Sequence, residues 1–220
     1  MAGRKLLYPI VNTDVALFTL IDMQLRVLLI QRANRPDPGG WALPGGIIDP
    51  AVDRSLEGAA LRTLATKTRV RLPHLEQVAT HSGQHRDPRG WSVSTLFFAL
   101  LPGDQVPAVA GSKTEAIVWA DPEKPGRRLS FDHGEMLAES LAKLRDRVER
   151  GALPLHLLPA RFTLTELQRA CEAILGRAID KGAFRRQLKG VRSLVAIPGA
   201  FVRGAQRPAQ LYRAAAGFAF

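Results

Sequence analysis

Near the C-terminal end of the chain stand Lys181, Arg185, Arg186 and Lys189, and Arg203 and Arg207 follow a little further on. Ammonium groups neutralise phosphates as point charges, and a guanidinium fork can also pair bidentately with the edge of a guanine. The spacing decides how such groups are presented. Asp180 can cap a helix running from Lys181 to about Lys189, in which Ala183, Phe184 and Leu188 pack inward while the four cations stay wet. Leu194–Ile197 and Ala209–Arg213 then suggest two strands around a loop, Pro198–Arg207, that carries Arg203 and Arg207. With the helix that precedes it, this is the outline of a winged helix-turn-helix, whose partner is double-stranded DNA. In that outline Arg185 and Arg186 read bases, Lys181 and Lys189 meet phosphates, and Arg203 and Arg207 lie where a wing touches a groove.

The charge is concentrated in the same segment. The 220 residues carry a net charge of +11, but residues 1–150 hold 20 Lys/Arg against 17 Asp/Glu, while residues 151–220 hold 11 against 3. A balance of +3 followed by +8 places the polyanion-binding potential in the tail. Other chemistry is thin. The single cysteine, Cys171, excludes an intrachain disulfide and falls within an apolar stripe, which makes it a packed thiol. His81 and His85 have no carboxylate company and read as surface residues, so neither a metal nor a cofactor is expected from them. A hydrophobic content of 46% and a charged content of 23% are ordinary globular values. The chain has neither a signal-like apolar start nor a run of about 20 apolar residues, so no membrane span and a cytoplasmic location are expected.

Several elements can be read upstream of the basic segment. Val15–Ile21 and Leu25–Gln31 form a hairpin about Asp22–Gln24, a Pro- and Gly-rich loop runs from Arg35 to Gly46, and a helix spans about Ser55 to Thr68. The stretch Trp91–Leu101 is apolar on both faces, as a strand in the middle of a sheet must be, and Ala116–Ala120 is a further strand. At Asp132 a capping box with Glu135 and a staple from Phe131 to Met136 open a helix whose stripe is Leu137, Leu141, Leu144 and Val148. The grammar repeats with Phe162, Thr163, Glu166 and Leu167, followed by Cys171, Ile174 and a stop at Gly176. The chain therefore divides into a first domain, 1–150, a linker, 151–162, and a basic domain, 163–220.

Trp41-Ala-Leu-Pro-Gly-Gly46 followed by Leu56 to Val70 resembles the Nudix box, G-x5-E-x7-R-E-U-x-E-E-x-G-U. Arg62, Leu64 and Val70 fit it. The acidic positions after the arginine are Thr63, Thr66 and Lys67, the upstream one is Arg54, and the glycine is Arg69. In active members those glutamates ligate divalent cations, which demand oxygen ligands. Threonine offers a neutral hydroxyl and Lys67 a positive charge, so the resemblance implies no catalytic residues and no metal here. Together with His85-Arg-Asp-Pro-Arg-Gly-Trp91, Phe131-Asp-His133, Phe162-Thr-Leu-Thr-Glu-Leu167, Phe184-Arg-Arg186 and Arg207-Pro-Ala-Gln-Leu-Tyr212, the box is similar to that of the Nudix-related transcriptional regulators of NAD metabolism, the NrtR type.

That resemblance implies an α+β protein: a Nudix-type mixed-sheet α/β/α sandwich that senses ADP-ribose or a related NAD-derived nucleotide, then a small winged helix on a DNA operator. For an anionic nucleotide held without metal, Arg35, Arg62, Arg86 and Arg89 are the candidate cations, and Trp41, Trp91 and Phe97 the candidate stacking or closing aromatics. Arg62 has a second use, fixing the box loop by hydrogen bonds, and Asp87 can make a turn with Pro88. A homodimer is expected because palindromic operators take two recognition helices, and the nucleotide would alter operator affinity by rearranging them. Two other readings stay open: a hydrolase of ADP-ribose-like substrates using Asp49, Asp53 or Glu57, and a scaffold whose basic tail binds nucleic acid without sequence preference.

Overall fold

The computed structural model describes residues 8–70, 75–105, 114–202, 208–218 and 220. In chain order the elements are β1 (Ile10–Ile21), β2 (Gln24–Arg32), β3 (Trp41–Ala42), β4 (Gly45–Ile47), α1 (Leu56–Thr68), β5 (Glu76–Gly83), β6 (Ser92–Leu101), β7 (Thr114–Ala120) and α2 (His133–Glu149). After them come β8 (Phe162–Thr163), α3 (Leu164–Leu175), α4 (Lys181–Gln187), β9 (Leu194–Val202) and β10 (Ala209–Ala214). By spatial contact the described chain forms two compact units, one of residues 8–17, 28–99 and 114–140, the other of 18–27, 100–105 and 141 onward. The division falls inside α2, at Ser140 and Leu141, ten residues before the boundary read at Arg150.

The large sheet runs in the order β3-β2-β1-β6-β5, with β4 against β1 and β7 against β2. As its two apolar faces require, β6 lies between β1 and β5, and every residue from Ser94 to Leu101 is buried. The β1–β2 hairpin closes through Asp22 and Met23, both at positive φ (50° and 58°), the pair of left-handed residues that matches strand twist in a tight turn. Ser55 caps α1 by accepting from the Gly58 N–H, and the helix stops at Arg69, whose φ of 59° occupies the left-handed position a glycine ordinarily fills. Arg69 therefore stands where the box expects glycine in geometry as well as in sequence.

Along α2 the stripe Met136, Leu137, Leu141, Leu144 and Val148 is buried, as its spacing requires. Its start differs from the expected capping box. The Asp132 carboxylate accepts from the Arg86 guanidinium at 2.8 and 3.0 Å, a charge-assisted pair across 46 residues. Such a bidentate ion pair outcompetes a single local cap bond.

In the second unit the capping box at Thr163 is complete: its hydroxyl accepts from the Glu166 N–H, and the Glu166 carboxylate accepts from the Thr163 N–H. Phe162 and Leu167, the staple pair, are fully buried. The segment read as a linker is not an open tether, because Leu153, Leu155, Leu157 and Leu158 are all buried and Leu155–Leu157 make a turn of 3-10 helix. β8, β10 and β9 form a three-stranded sheet in that order. β9 continues through Pro198 and Gly199 to Val202, farther than the loop read from those residues. Two edge pairings, Ala209 with Val202 and Gln210 with Phe201, extend the ladder past the proline. Burial of Cys171 pushes its thiol up to about 12, which leaves it protonated and inert. Among the described residues no helix is long and apolar enough to cross a membrane.

Candidate functional site

Strand β1 is the floor of the first site. Because strand side chains alternate, Asn12 and Asp14 share one face, and both line a cavity of roughly 580 Å3. Asp14 is buried, and one of its oxygens accepts from the Ser94 hydroxyl at 2.5 Å. Gly45 pairs directly with Asp14 across the β1–β4 ladder, and Gly46 lies against Thr63, so the Gly-Gly turn brings the box loop onto both elements without side chains of its own. From α1 the cavity receives Arg62, Thr63, Thr66 and Lys67, so all three positions at which the box expects glutamate after the arginine face one space.

Six cations line that cavity: Arg32, Arg35, Arg62, Lys67, Arg86 and Arg89. Their lining carboxylates are Asp14, Asp87 and Asp132. Three of the arginines are held in fixed poses. Arg62 donates to both oxygens of Asp53 at 2.6 Å and to the Ile47 carbonyl at 3.4 Å. Its guanidinium holds the Asp53 carboxyl well below the usual carboxylate range, at about 2. Arg86 is fixed by Asp132, and Arg89 by Asp87 at 2.7 and 3.0 Å, which lowers the Asp87 pKa and raises that of Arg89. Asp87 also accepts from the Arg89 N–H, closing the turn expected with Pro88. Arg32, whose pKa burial and the neighbouring Arg89 lower, lies 4.9 Å over the Phe131 ring.

All four candidate cations, Arg35, Arg62, Arg86 and Arg89, thus meet in one cavity, and Arg62 both faces it and fastens the box loop. The candidate aromatics do not join them. Trp41 stacks under Arg127 at 4.5 Å, Trp91 is half-exposed while its carbonyl accepts from the Ile10 N–H, and Phe97 is buried within β6. None of the three lines the cavity; Phe131 is the aromatic that does. It has φ of 56°, a left-handed conformation costly for a bulky residue and of the kind that clusters at ligand sites. Arg32, Asp14, Phe131 and His133 also line the cavity, and of these only Phe131 and His133 stand in a motif visible in the sequence, Phe131-Asp-His133. Asp49, Asp53 and Glu57 also lie outside the lining. His81 meets the Glu139 carboxylate at 2.9 Å.

His133 is buried, and its Nδ1 accepts from the Leu43 N–H at 3.0 Å, which leaves the proton on Nε2. Burial lowers its pKa, against the raising influence of Asp14 and Asp132. The unfolded imidazole takes up its proton near its ordinary value of 6.5, the folded one only at lower pH. As pH falls through that window the unfolded state binds more protons, so the fold loses stability. Thermal melts of the chain are expected to fall below pH 6.5, and His133→Gln is expected to flatten that acid limb.

The second site belongs to the other unit. The Asp180 carboxylate accepts from the Ala183 N–H and starts α4, with Phe184 and Leu188 buried and Lys181, Arg185, Arg186 and Lys189 all exposed. Ala183 is exposed rather than packed inward, since its position turns it to the basic side, and the helix ends two residues before Lys189. Glu172 on α3 accepts from Gln168 and from the Ile179 N–H, fixing the turn between α3 and α4. Arg203 and Arg207 lie outside the described residues; the β9–β10 hairpin that flanks them is present.

A cation-lined cavity behind a Gly-Gly loop, followed by a short basic helix and a hairpin, defines a ligand-binding domain joined to a DNA-binding module. Residues 12–140 match the family model of the NUDIX domain, and residues 154–214 match that of the NrtR DNA-binding winged helix domain. The chain is 41% identical over 206 residues to the ADPR responsive transcriptional repressor NtrR of Acinetobacter baylyi, covering 93% of this chain and 82% of that protein. Shewanella oneidensis NrtR, in a crystal structure complexed with a 27mer DNA, is 36% identical with a TM-score of 0.81 over 93% of each chain. The NUDIX domain of the same protein, crystallised with ADP ribose, is 36% identical with a TM-score of 0.59 over 66% of this chain and 94% of that one. The chain belongs to the NrtR family of Nudix-related transcriptional regulators, with the α+β fold of that family.

Proposed function

We propose that this chain is a cytoplasmic, homodimeric DNA-binding repressor of NAD-related metabolism that senses ADP-ribose and does not hydrolyse it. One observation carries the reading: the three positions of α1 that would have to ligate a divalent cation face the anion cavity as Thr63, Thr66 and Lys67. That donor set does not fit a metal. Hard divalent cations require anionic oxygen ligands, two neutral hydroxyls supply none, and the remaining group is a cation. The nearby carboxylates do not make good the loss, since Asp53 is bound to Arg62 and Asp49 and Glu57 lie outside the cavity. What remains is a pocket for a dianionic diphosphate, held by guanidinium groups whose poses Asp53, Asp87 and Asp132 fix in advance. Destroying the ligand would also erase the signal it carries. The exposed cations of α4 support duplex binding, and ADP-ribose alters operator affinity by binding better to one of two states of the protein.

The test selects bound duplexes from a random pool and repeats the binding of the selected sequence with and without ADP-ribose. A selected duplex bound far more tightly than random DNA, and shifted by ADP-ribose, supports the reading. Equal affinity for random DNA overturns operator recognition in favour of a scaffold. Turnover of ADP-ribose with magnesium or manganese, abolished by Asp49→Asn, Asp53→Asn or Glu57→Gln, overturns the non-hydrolytic assignment.

A further inference from the structure

We propose that Asn12, Asp14 and His133 form a sugar-hydroxyl subsite that reads the terminal ribose of the effector, an inference that rests on the function proposed above. The residues that line the cavity differ in access. Asn34, Arg35 and Thr66 are exposed, whereas Asp14 and His133 are only 3% and 6% exposed, beside the fully buried Leu43. The buried groups have lone pairs and a proton in want of partners. Asn12 Oδ1 is enclosed and accepts no hydrogen bond, although it lies on the same face of β1 as Asp14. Asp14 accepts from Ser94 through one oxygen, and the other stands 3.8 Å from His133 Nε2, too far for a direct hydrogen bond. Because the Leu43 N–H occupies Nδ1, Nε2 is the nitrogen that carries hydrogen.

A group that settles these atoms must donate to Asp14 and Asn12 and accept from His133. A hydroxyl oxygen at about 2.8 Å from both Asp14 and His133 does the first and last at once. A neighbouring hydroxyl supplies the donor for Asn12, and a vicinal diol is that pair. Phosphate offers no donor and would meet the Asp14 carboxylate charge to charge, so the diphosphate stays with the arginines. Asp14, Leu43 and His133 are buried, so what reaches them is a terminus of the ligand. In ADP-ribose the termini are the adenine and the free ribose; the adenosine ribose lies between base and phosphate and cannot reach these buried residues without burying the base beyond it. The amino nitrogen of adenine donates but does not accept, because its lone pair is delocalised into the ring, so it cannot bridge Asp14 and His133 as a single hydroxyl oxygen does. The ribose, small and rich in hydroxyls, fits.

The test is calorimetric titration of the full chain, as wild type, Asn12→Leu and Asp14→Asn, with ADP-ribose and with ADP, which lacks the terminal ribose. Unsatisfied buried acceptors discriminate strongly against ligands without the donor, so the wild type is expected to bind ADP-ribose on the order of tenfold or more tighter than ADP. Each substitution is expected to weaken ADP-ribose by about tenfold while leaving ADP within about twofold. Equal loss of both ligands, loss of neither, or a wild type that does not distinguish them overturns the subsite. A wild type that fails to bind ADP-ribose at all overturns the proposed function instead. Thermal melts without ligand confirm that each variant folds, and should buried Asp14→Asn fail there, the half-buried Asn12→Leu decides alone.

Discussion

Removing both guanidinium groups from α4, as Arg185→Ala with Arg186→Ala, is expected to lower affinity for the selected operator by at least about thirtyfold. A bidentate arginine–guanine contact discriminates by about 1–3 kcal/mol, and roughly 1.4 kcal/mol is a factor of ten, so two contacts reach that loss. Both side chains are exposed, while the buried Phe184 and Leu188 anchor the helix, so the substitutions leave the fold intact. The lost binding should be specific: random duplex binding falls less, because phosphate neutralisation by Lys181 and Lys189 persists. Lys181→Ala is expected to do the converse, weakening all duplexes alike and reducing the salt slope by about one phosphate contact. Electrophoretic mobility shifts over a salt series, with selected and random duplexes, read both effects. Equal loss on selected and random DNA would show that α4 does not read bases.

Gly45→Ala is expected to be the most damaging single methyl addition in the first unit. A Cβ there would stand 1.7 Å from Asp14 Oδ1 and 2.9 Å from the Thr13 carbonyl. The carboxylate cannot swing aside without leaving Ser94, and the carbonyl belongs to the β1 backbone. Overpacking costs about 1–3 kcal/mol where side chains can yield, and this site exceeds that range because backbone must move. At about 2–4 °C per kcal/mol for a chain of this size, the melting temperature should fall by roughly 6–12 °C, with loss of ADP-ribose binding. Gly134→Ala is the control. It lies in the first turn of α2 with open space around its would-be Cβ, so alanine there is expected to stabilise by about 0.5–1 kcal/mol. A Gly45→Ala protein that melts with the wild type would mean that the box loop does not rest on β1.

The features that local chemistry governs were legible in the residues alone. The capping box at Thr163, the Asp180 cap, the hairpin at Asp22, the apolar stripe of α2 and the doubly buried β6 each follow from spacing within a few residues, where the competing conformations are few. The exposed cations of α4 were legible for the same reason, since Phe184 and Leu188 leave them one side of the helix.

Tertiary structure decided the rest, because it alone sets which distant groups meet. Asp132 reads as a helix cap but is bound by Arg86, and no spacing rule reaches across 46 residues to find so strong a partner. Trp41 and Phe97 read as stacking groups because aromatic character is visible in a sequence and orientation is not; one lies under Arg127 and the other in the sheet core. Asp14, Arg32, Phe131 and His133 come from separate stretches, and only the pairing of β1 with β4 and the placement of α2 bring them into one cavity. The family, the basic helix and the absent box glutamates are written in the residues alone; which charges line the cavity is settled by the fold, because a pocket is a set of non-local distances.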